Sequence, residues 1–577
     1  MFLDFRKGSR VRVLAVFLFV CVALIIARLF QIQIIDHRKY VAMGESEYVK
    51  RLTIPAKRGM IYAMDSGDPV PLVINETIFT LFLDPQVVTK PAKVEEVIKK
   101  VAGGNVKASI SEALKDNASR YKVVATELTR KQAELIKKEK LAGVGFQETT
   151  RRVYPENTLA GQILGFVNSE GEGQYGVEGA LNKQLKGVDG RLESVTDIGQ
   201  VPLTIGAKNV NQPAKNGENV VLTIDRNVQL EAERALKAGL DRISSRATGS
   251  VVVMDPQNGK VMAMANWPTY NPADYNKVTN IELFKNPVLQ DPYEPGSVIK
   301  TFIMSTGLDT GVVTPETTYR NTDSITIGDR TIHNAYKGLL GNITMQTVLN
   351  YSLNTGAVTI AEKLGDGSID LKARETMYGY YHDRFGFGKY TGIELPEENR
   401  DLVPPDTPNG AAITYSNMTF GQGMNITMIQ ALSGFSSAVN GGAYYAPTVV
   451  NGAMKDGKFK PRTDIKPKNA NVLKPETSAT LRGMLVAARN TLYASHNEPG
   501  YIVGGKTGTS ETLVNGSYTQ SSTVASYLGF GGNGTPKYVI MVRVQSDGMN
   551  LEGGIHAEPI FSEISNWLLK YLNVPKE

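Results

Sequence analysis

The apolar run from Val13 to Ala27 is unbroken by any charge, and Arg6, Lys7, Arg10 and Arg12 stand before it. Arg28 interrupts, but its long stem can carry the guanidinium to the headgroups while Leu29 to Ile35 complete a membrane-scale segment. The pattern predicts a transmembrane helix over 13–35, and the preceding positive charges predict a cytoplasmic N-terminus over 1–12. A cleaved signal peptide needs a small-x-small site after the apolar core, where this chain has Arg28-Leu29-Phe30. A lipoprotein signal ending at Cys21 fits poorly, because bulky Val20 precedes the cysteine in the middle of the run.

Beyond the anchor, residues 36–218 mix short strand-like runs with charged helical stretches, Lys93 to Ala102 and Glu127 to Lys140, broken by turns at Gly171-Glu172-Gly173 and Gly187-Val188-Asp189-Gly190. Asn209 to Asn219 reads as a polar linker. This part holds no recognisable catalytic constellation and is expected to position something else. From 219 the pattern sharpens: a strand at Asn219 to Asp225, a helix over Arg226 to Gly239, and two β-rich segments between Gly249 and Met264 around an Asn-Gly turn. Helical patterns surround Ser297 and Ser352. Strands near 503–510, 523–530 and 537–545 and a helix over Glu558 to Leu572 complete a sheet flanked by helices, α/β or α+β in class, over 219–577.

With 577 residues and 41% hydrophobic content the chain has room for several domains and a large core. A net charge of +6 without a Lys/Arg tract argues against a nucleic-acid partner. The single cysteine excludes an intramolecular disulfide and a cysteine-based metal site.

Three short motifs carry the candidate chemistry. Glu294-Pro295-Gly296-Ser297-Val298-Ile299-Lys300 contains Ser-x-x-Lys, which on a helix places a hydroxyl and an amine on one face within hydrogen-bonding reach. Pro295-Gly296 leaves Ser297 at a helix start, where free N–H groups favour a developing oxyanion. Ser352-Leu353-Asn354 follows, and then Lys506-Thr507-Gly508-Thr509, in a glycine-rich run suited to a strand that offers its backbone to a ligand. Order and flanks carry the weight, since Ser-x-x-Lys recurs at Ser119 to Lys122 and Ser-x-Asn at Ser495 to Asn497. The five histidines, His37, His333, His382, His496 and His556, form no His-Glu-x-x-His pair, and neither a Gly-x-Ser-x-Gly elbow nor a Walker loop is present. A hydrolase or transferase needing no metal or organic cofactor is the expectation.

These residues resemble the class B penicillin-binding proteins, monofunctional peptidoglycan transpeptidases, whose superfamily carries this three-motif signature. The likeness extends to Arg58-Gly59-Met60-Ile61-Tyr62, Arg152-Val153-Tyr154-Pro155 with Gly176-Val177-Glu178, Leu222-Thr223-Ile224-Asp225, Gly386-Phe387-Gly388 with Thr391-Gly392-Ile393, and Gly421 to Gln430. It is nearest the division-specific septal type, with the elongation-specific, cell-shape type as alternative. The middle motif reads Ser-Leu-Asn, and Gly423 to Gln430 lacks the proline often found after its threonine; neither departure removes a catalytic atom.

The resemblance implies a transpeptidase domain of the penicillin-binding and serine β-lactamase-like fold, preceded by an elongated mixed α/β pedestal of dimerisation type and one transmembrane helix. It implies a bacterial plasma-membrane location with the catalytic domain outside. Ser297 would attack a D-Ala-D-Ala stem peptide, Lys300 would take its proton and Ser352 would relay it. Asn354 would orient Lys300 and bind peptide backbone; Lys506, Thr507, Gly508 and Thr509 would form the wall receiving the terminal carboxylate. The implied partners are lipid II-derived glycan strands, β-lactams as covalent inhibitors, a polytopic glycosyltransferase of the shape, elongation, division and sporulation type, and divisome or elongasome proteins. A β-lactamase, or a membrane-anchored β-lactam sensor or scaffold, is the alternative from another class.

Overall fold

A computed structural model describes residues 10–40, 49–116, 119–195, 210–514 and 517–576. The apolar run forms an α-helix, Arg10–Phe30, continued by a π-helical turn, Gln31–Ile35. Within its 25-residue stretch Val11–Ile35 an 18-residue window reaches a mean hydropathy of 2.9, with none of it buried. At 1.5 Å per residue this spans about 37 Å, enough to cross a bilayer core with some tilt. Arg28 donates to Gln31 Oε1 at 2.8 Å and Gln31 to Asp36 Oδ2 at 3.2 Å, so the polar atoms at this end serve one another.

The chain divides into two compact units. The first, Met1–Arg58 with Gly187–Gly217, contains a three-stranded antiparallel sheet of Val49–Ile54, Gly190–Val195 and Val210–Gln212. The segment read as a linker therefore contributes a strand, except Asn209, which lies outside the described residues. The Ala56 and Lys57 amides donate to the Asp189 and Asn216 side chains at 2.7 and 3.0 Å.

The second unit, Gly59–Lys186 with Glu218–Glu577, is built on two sheets. In the seven-stranded sheet, Asn219–Asp225 pairs in parallel with Ile61–Asp65 and antiparallel with Val450–Lys455. In the same unit, the helix expected over Glu127 to Lys140 begins only at Arg130, because Lys122–Thr129 buries Val124 and Leu128 as a strand and Thr129 then forms a capping box with Gln132. Two separated sequence blocks meet here in a buried ion pair: Arg152 Nε lies 2.6 Å from Glu178 Oε1, with the side chains 6% and 0% exposed. Removing one member strands the other charge, so Glu178→Ala is expected to cost about 3 kcal/mol, read as a lower denaturant midpoint at unchanged m-value.

The five-stranded antiparallel sheet runs in the order Val261–Trp267, Thr248–Met254, Thr535–Gln545, Ser517–Asn533, Ile502–Val514. The expected strands are all present. The connection around Asn258-Gly259 is longer than a two-residue turn: the Asp255 carboxylate accepts from the Gln257 amide at 2.9 Å and from Asn258 at 2.6 Å, and Gly259 closes the loop at φ +74°. Against one face lie Arg226–Ile243 and Glu558–Tyr571, packed through Val228, Leu236, Leu240, Phe561 and Leu568. The first of these outruns its expected end at Gly239 because Leu240 continues its buried stripe. Against the other face lie Lys300–Thr310, Met428–Val439 and Pro475–Tyr493, the largest core. This is the sheet flanked by helices that the sequence predicts, and all three motifs sit at its Ile502–Val514 edge.

Candidate active site

Ser297 lies in a 3-10 turn, Gly296–Ile299, that runs directly into the helix Lys300–Thr310. Residues three apart eclipse in such a turn, which stacks the lysine under the serine: Lys300 Nζ is 2.8 Å from Ser297 Oγ. Lys300 is only 1% exposed. Its amine also meets the Ser352 carbonyl oxygen at 2.7 Å and Ser352 Oγ at 3.1 Å.

Ser352 can present both groups because it ends the helix Met345–Tyr351 in the left-handed conformation, φ 58°, ψ 44°. A non-glycine residue held there costs on the order of 1 kcal/mol and persists only where its surroundings fix it. Asn354 then opens the helix Asn354–Leu364, and its Nδ2 donates to the His333 carbonyl at 2.8 Å. Three oxygens already surround the Lys300 amine, so Asn354 stands in the wall of the cleft and not among the amine's partners.

Lys506, Thr507, Gly508 and Thr509 lie on Ile502–Val514. Strand alternation turns Thr507, Thr509 and Glu511 to the cleft. Lys506 is 4% exposed, and its Nζ folds onto the Thr507 carbonyl at 3.1 Å and Oγ1 at 3.2 Å. Burial lowers its pKa to about 7. Burial first, and the nearby Lys506 charge second, hold Lys300 well below the usual 10.5. Both amines are thus drawn toward neutrality by desolvation.

Glycine at 508 and 296 is a matter of space. A Cβ on Gly508 would stand 2.4 Å from Ser526 Oγ and 2.9 Å from the Pro295 carbonyl. One on Gly296, at φ +62°, would stand 2.5 Å from the Thr509 carbonyl. The Ser297 turn and the strand consequently touch backbone to backbone. The Gly553 amide donates to Thr509 Oγ1 at 3.1 Å, closing the far side.

The cleft has a volume of about 600 Å³. Besides Ser297, Ser352, Asn354, Thr507 and Thr509 it is lined by Tyr336, Tyr351, Phe420, Gln422, Glu511, Asn550 and Glu552, none of which was a candidate site residue from the sequence, although Gln422 falls within the segment Gly421 to Gln430. Glu511 could have been found from its period-two spacing after Thr509. Tyr336, its ring centre 5.0 Å from that of Tyr351 and tilted against it, and the 550–552 segment arrive through tertiary contacts with no local signal. The two duplicate motifs stand apart from this site: Ser119 Oγ accepts from the Tyr121 amide at 3.2 Å and Lys122 pairs with Asp116, while His496 meets Glu558 at 2.7 Å and Asn497 accepts from Arg489 at 2.6 Å.

Residues 249–566, more than half of the chain, match the penicillin binding protein transpeptidase domain, and residues 53–222 match the penicillin-binding protein dimerisation domain. Stage V sporulation protein D of Bacillus subtilis is 29% identical, over 98% of this chain and 86% of that protein. The probable peptidoglycan D,D-transpeptidase PbpC of Pseudomonas aeruginosa is 28% identical, over 98% of this chain and 96% of its own. Among solved structures, a peptidoglycan synthetase from Bifidobacterium adolescentis superposes with a TM-score of 0.72 at 24% identity, covering 92% of this chain and 98% of that one; this likeness speaks to fold alone.

Proposed function

Because the chain belongs to the class B penicillin-binding proteins, which join a dimerisation domain to a transpeptidase domain, we propose that it cross-links peptidoglycan by acyl transfer from D-Ala-D-Ala stem peptides through an ester on Ser297. The observation that carries the reading is the buried Lys300 amine set between Ser297 Oγ and Ser352 Oγ, at 2.8 and 3.1 Å.

As a neutral amine Lys300 accepts the Ser297 proton while Oγ attacks the penultimate D-Ala carbonyl. The Ser297 and Thr509 amides hold the oxyanion, at about 3 kcal/mol per donor. Collapse of the tetrahedral species breaks the peptide bond; the proton passes from Lys300 through Ser352 Oγ to the departing nitrogen, and D-alanine leaves. The amine of a second stem peptide then attacks the ester, giving up its proton along the same route, and Ser297 is restored. Lys506, Thr507 and Thr509 receive the donor's terminal carboxylate beside the tight wall at Gly508, and Asn354 binds peptide backbone. β-Lactams imitate the donor and acylate Ser297.

The decisive experiment incubates the protein with a stem-peptide donor and an amine acceptor and follows free D-alanine, cross-linked product and the Ser297 adduct by mass spectrometry. Donor hydrolysis with no cross-link would put a carboxypeptidase or β-lactamase in place of this reading. An adduct on Ser119 would move the nucleophile.

Residues 1–12 are assigned to the cytoplasm, 13–35 to the plasma membrane, 36–218 to the pedestal and 219–577 to the extracytoplasmic transpeptidase. Septal wall synthesis is preferred, beside a polytopic glycosyltransferase, with lateral-wall elongation as the alternative; imaging where the protein gathers in dividing cells separates them. Deleting Met1 to Ile35 is expected to leave a protein that binds penicillin normally yet fails to support growth, since all site residues lie far along the chain. Full rescue by an unrelated span would show that the helix only tethers.

A further inference from the structure

We infer that Arg543 is a positioning residue for Ser297, holding the backbone that leads into the nucleophile from the middle strand of the sheet, on the face where the Lys300 helix packs; this rests on the reading of Ser297 as the nucleophile. Arg543 lies on the strand Thr535–Gln545, where it pairs with Ser250 on one side and Ser526 on the other; Ser526 in turn pairs with Gly508. Residues directly opposite in antiparallel strands share a face, so the guanidinium starts from the row that ends at the Lys-Thr-Gly wall. Its side chain is 6% exposed.

From there it reaches the segment just before Ser297. Nη1 lies 2.7 Å from Asp291 Oδ2, the guanidinium stacks 4.3 Å from the centre of the Tyr293 ring, and Nη2 donates to Gln545 Oε1 at 2.7 Å. Tyr293 is zipped to Ile426 by two backbone hydrogen bonds of 3.0 and 3.1 Å. Glu294 Oε1 accepts from the Gly423 amide at 2.8 Å, and the Gly296 amide donates to the Gly421 carbonyl at 3.2 Å. The segment 421–426 thus holds this approach from one side, and Arg543 clamps its first residues from the other.

Such a clamp has a chemical use. The Ser297 turn must keep both its Oγ on Lys300 and its amide aimed at the oxyanion, while Gly508 and Gly296 leave no slack between turn and strand. A small displacement of a nucleophile can lower a rate on the order of 100-fold. Arg suits the position because its plane stacks on a ring while its edge binds a carboxylate, a combination lysine cannot reproduce.

Acylation by a fluorescent penicillin tests this, with rate constant per active site and fraction of labelled sites measured separately. Arg543→Gln is expected to lower the acylation rate constant by roughly 10- to 100-fold at unchanged dissociation constant for the non-covalent complex, with Arg543→Lys between it and wild type. Asp291→Asn, at a half-exposed side chain, is expected to give a smaller loss in the same constant, and the double variant no more than Arg543→Gln alone. If Arg543→Gln does not fold, Asp291→Asn carries the test. Wild-type rate constants in the folded variants, or a loss confined to the fraction of sites labelled, would overturn the inference. Failure of the wild type to label at Ser297 would overturn the nucleophile reading and this inference with it.

Discussion

Ser297→Ala protein is expected to take no covalent label from penicillin and to release no D-alanine from a stem peptide, while melting at the wild-type temperature. The substitution removes one oxygen from a partly exposed serine in an otherwise buried turn, and the surrounding backbone contacts do not use it. Lys300→Met should come close to the same chemical result, with acylation slowed by roughly 10²- to 10⁴-fold, the range a positioned general base supplies. Methionine fills a similar volume and carries no charge, so the buried site loses its proton acceptor and the amine's hydrogen bonds to Ser297 and Ser352. Ser352 would keep its left-handed turn but lose the amine that bridges it to Ser297. Labelling kinetics by stopped flow, with intact-protein mass spectrometry, measure both variants; an Ser297→Ala adduct at any position, or a Lys300→Met rate within tenfold of wild type, would contradict the assignment.

Raising the pH through about 7 is expected to lower kcat/KM for acylation, because the free protein loses the Lys506 charge there. The sign follows from the form each lysine must have. Lys300 must be neutral to accept a proton, so its contribution rises with pH, and burial brings that rise well below the usual lysine range. Lys506 must be protonated to hold a carboxylate, so its contribution falls as pH rises. Together they give a bell-shaped profile of the free protein. Lys506→Arg keeps its charge throughout and should move the falling limb to higher pH, at some loss of rate from the bulkier fork. Lys506→Gln should slow acylation by orders of magnitude below the wild-type falling limb, where the wild-type amine is charged, and the difference should shrink above it, where the wild type has lost the same charge. Removing that neighbouring positive charge should also let the Lys300 pKa rise, shifting the ascending limb upward. An unchanged falling limb in Lys506→Arg would remove Lys506 from the carboxylate site.

The apolar N-terminal helix, the hairpin strands and the helix starts were legible because each rests on neighbours in the chain. Val13 to Ile35 needs only its own apolarity, Asp225 caps the helix it precedes, and Ser297 and Lys300 need only a helical turn to meet. The order of three motifs along the chain was equally available, and with it the family and its chemistry. Two local readings yielded to packing: Lys122–Thr129 became a strand because a sheet was there to pair it, and the Asn258-Gly259 turn lengthened around Asp255.

The geometry of the candidate site depended on residues far apart in sequence. Ser352 closes on Lys300 across 52 residues, and Arg543 reaches the Asp291 carbonyl across 252. Nothing local marks Asn354 as a wall residue in place of a lysine partner, or brings Asn550 and Glu552 to the cleft. Sequence alone determined the kinds of groups available and their order, because identity, periodicity and capping are properties of short stretches. Only the tertiary structure decided which amines are stripped of water, and hence which can act as a base near neutral pH, because desolvation is set by every element that packs around a group and by none of them singly.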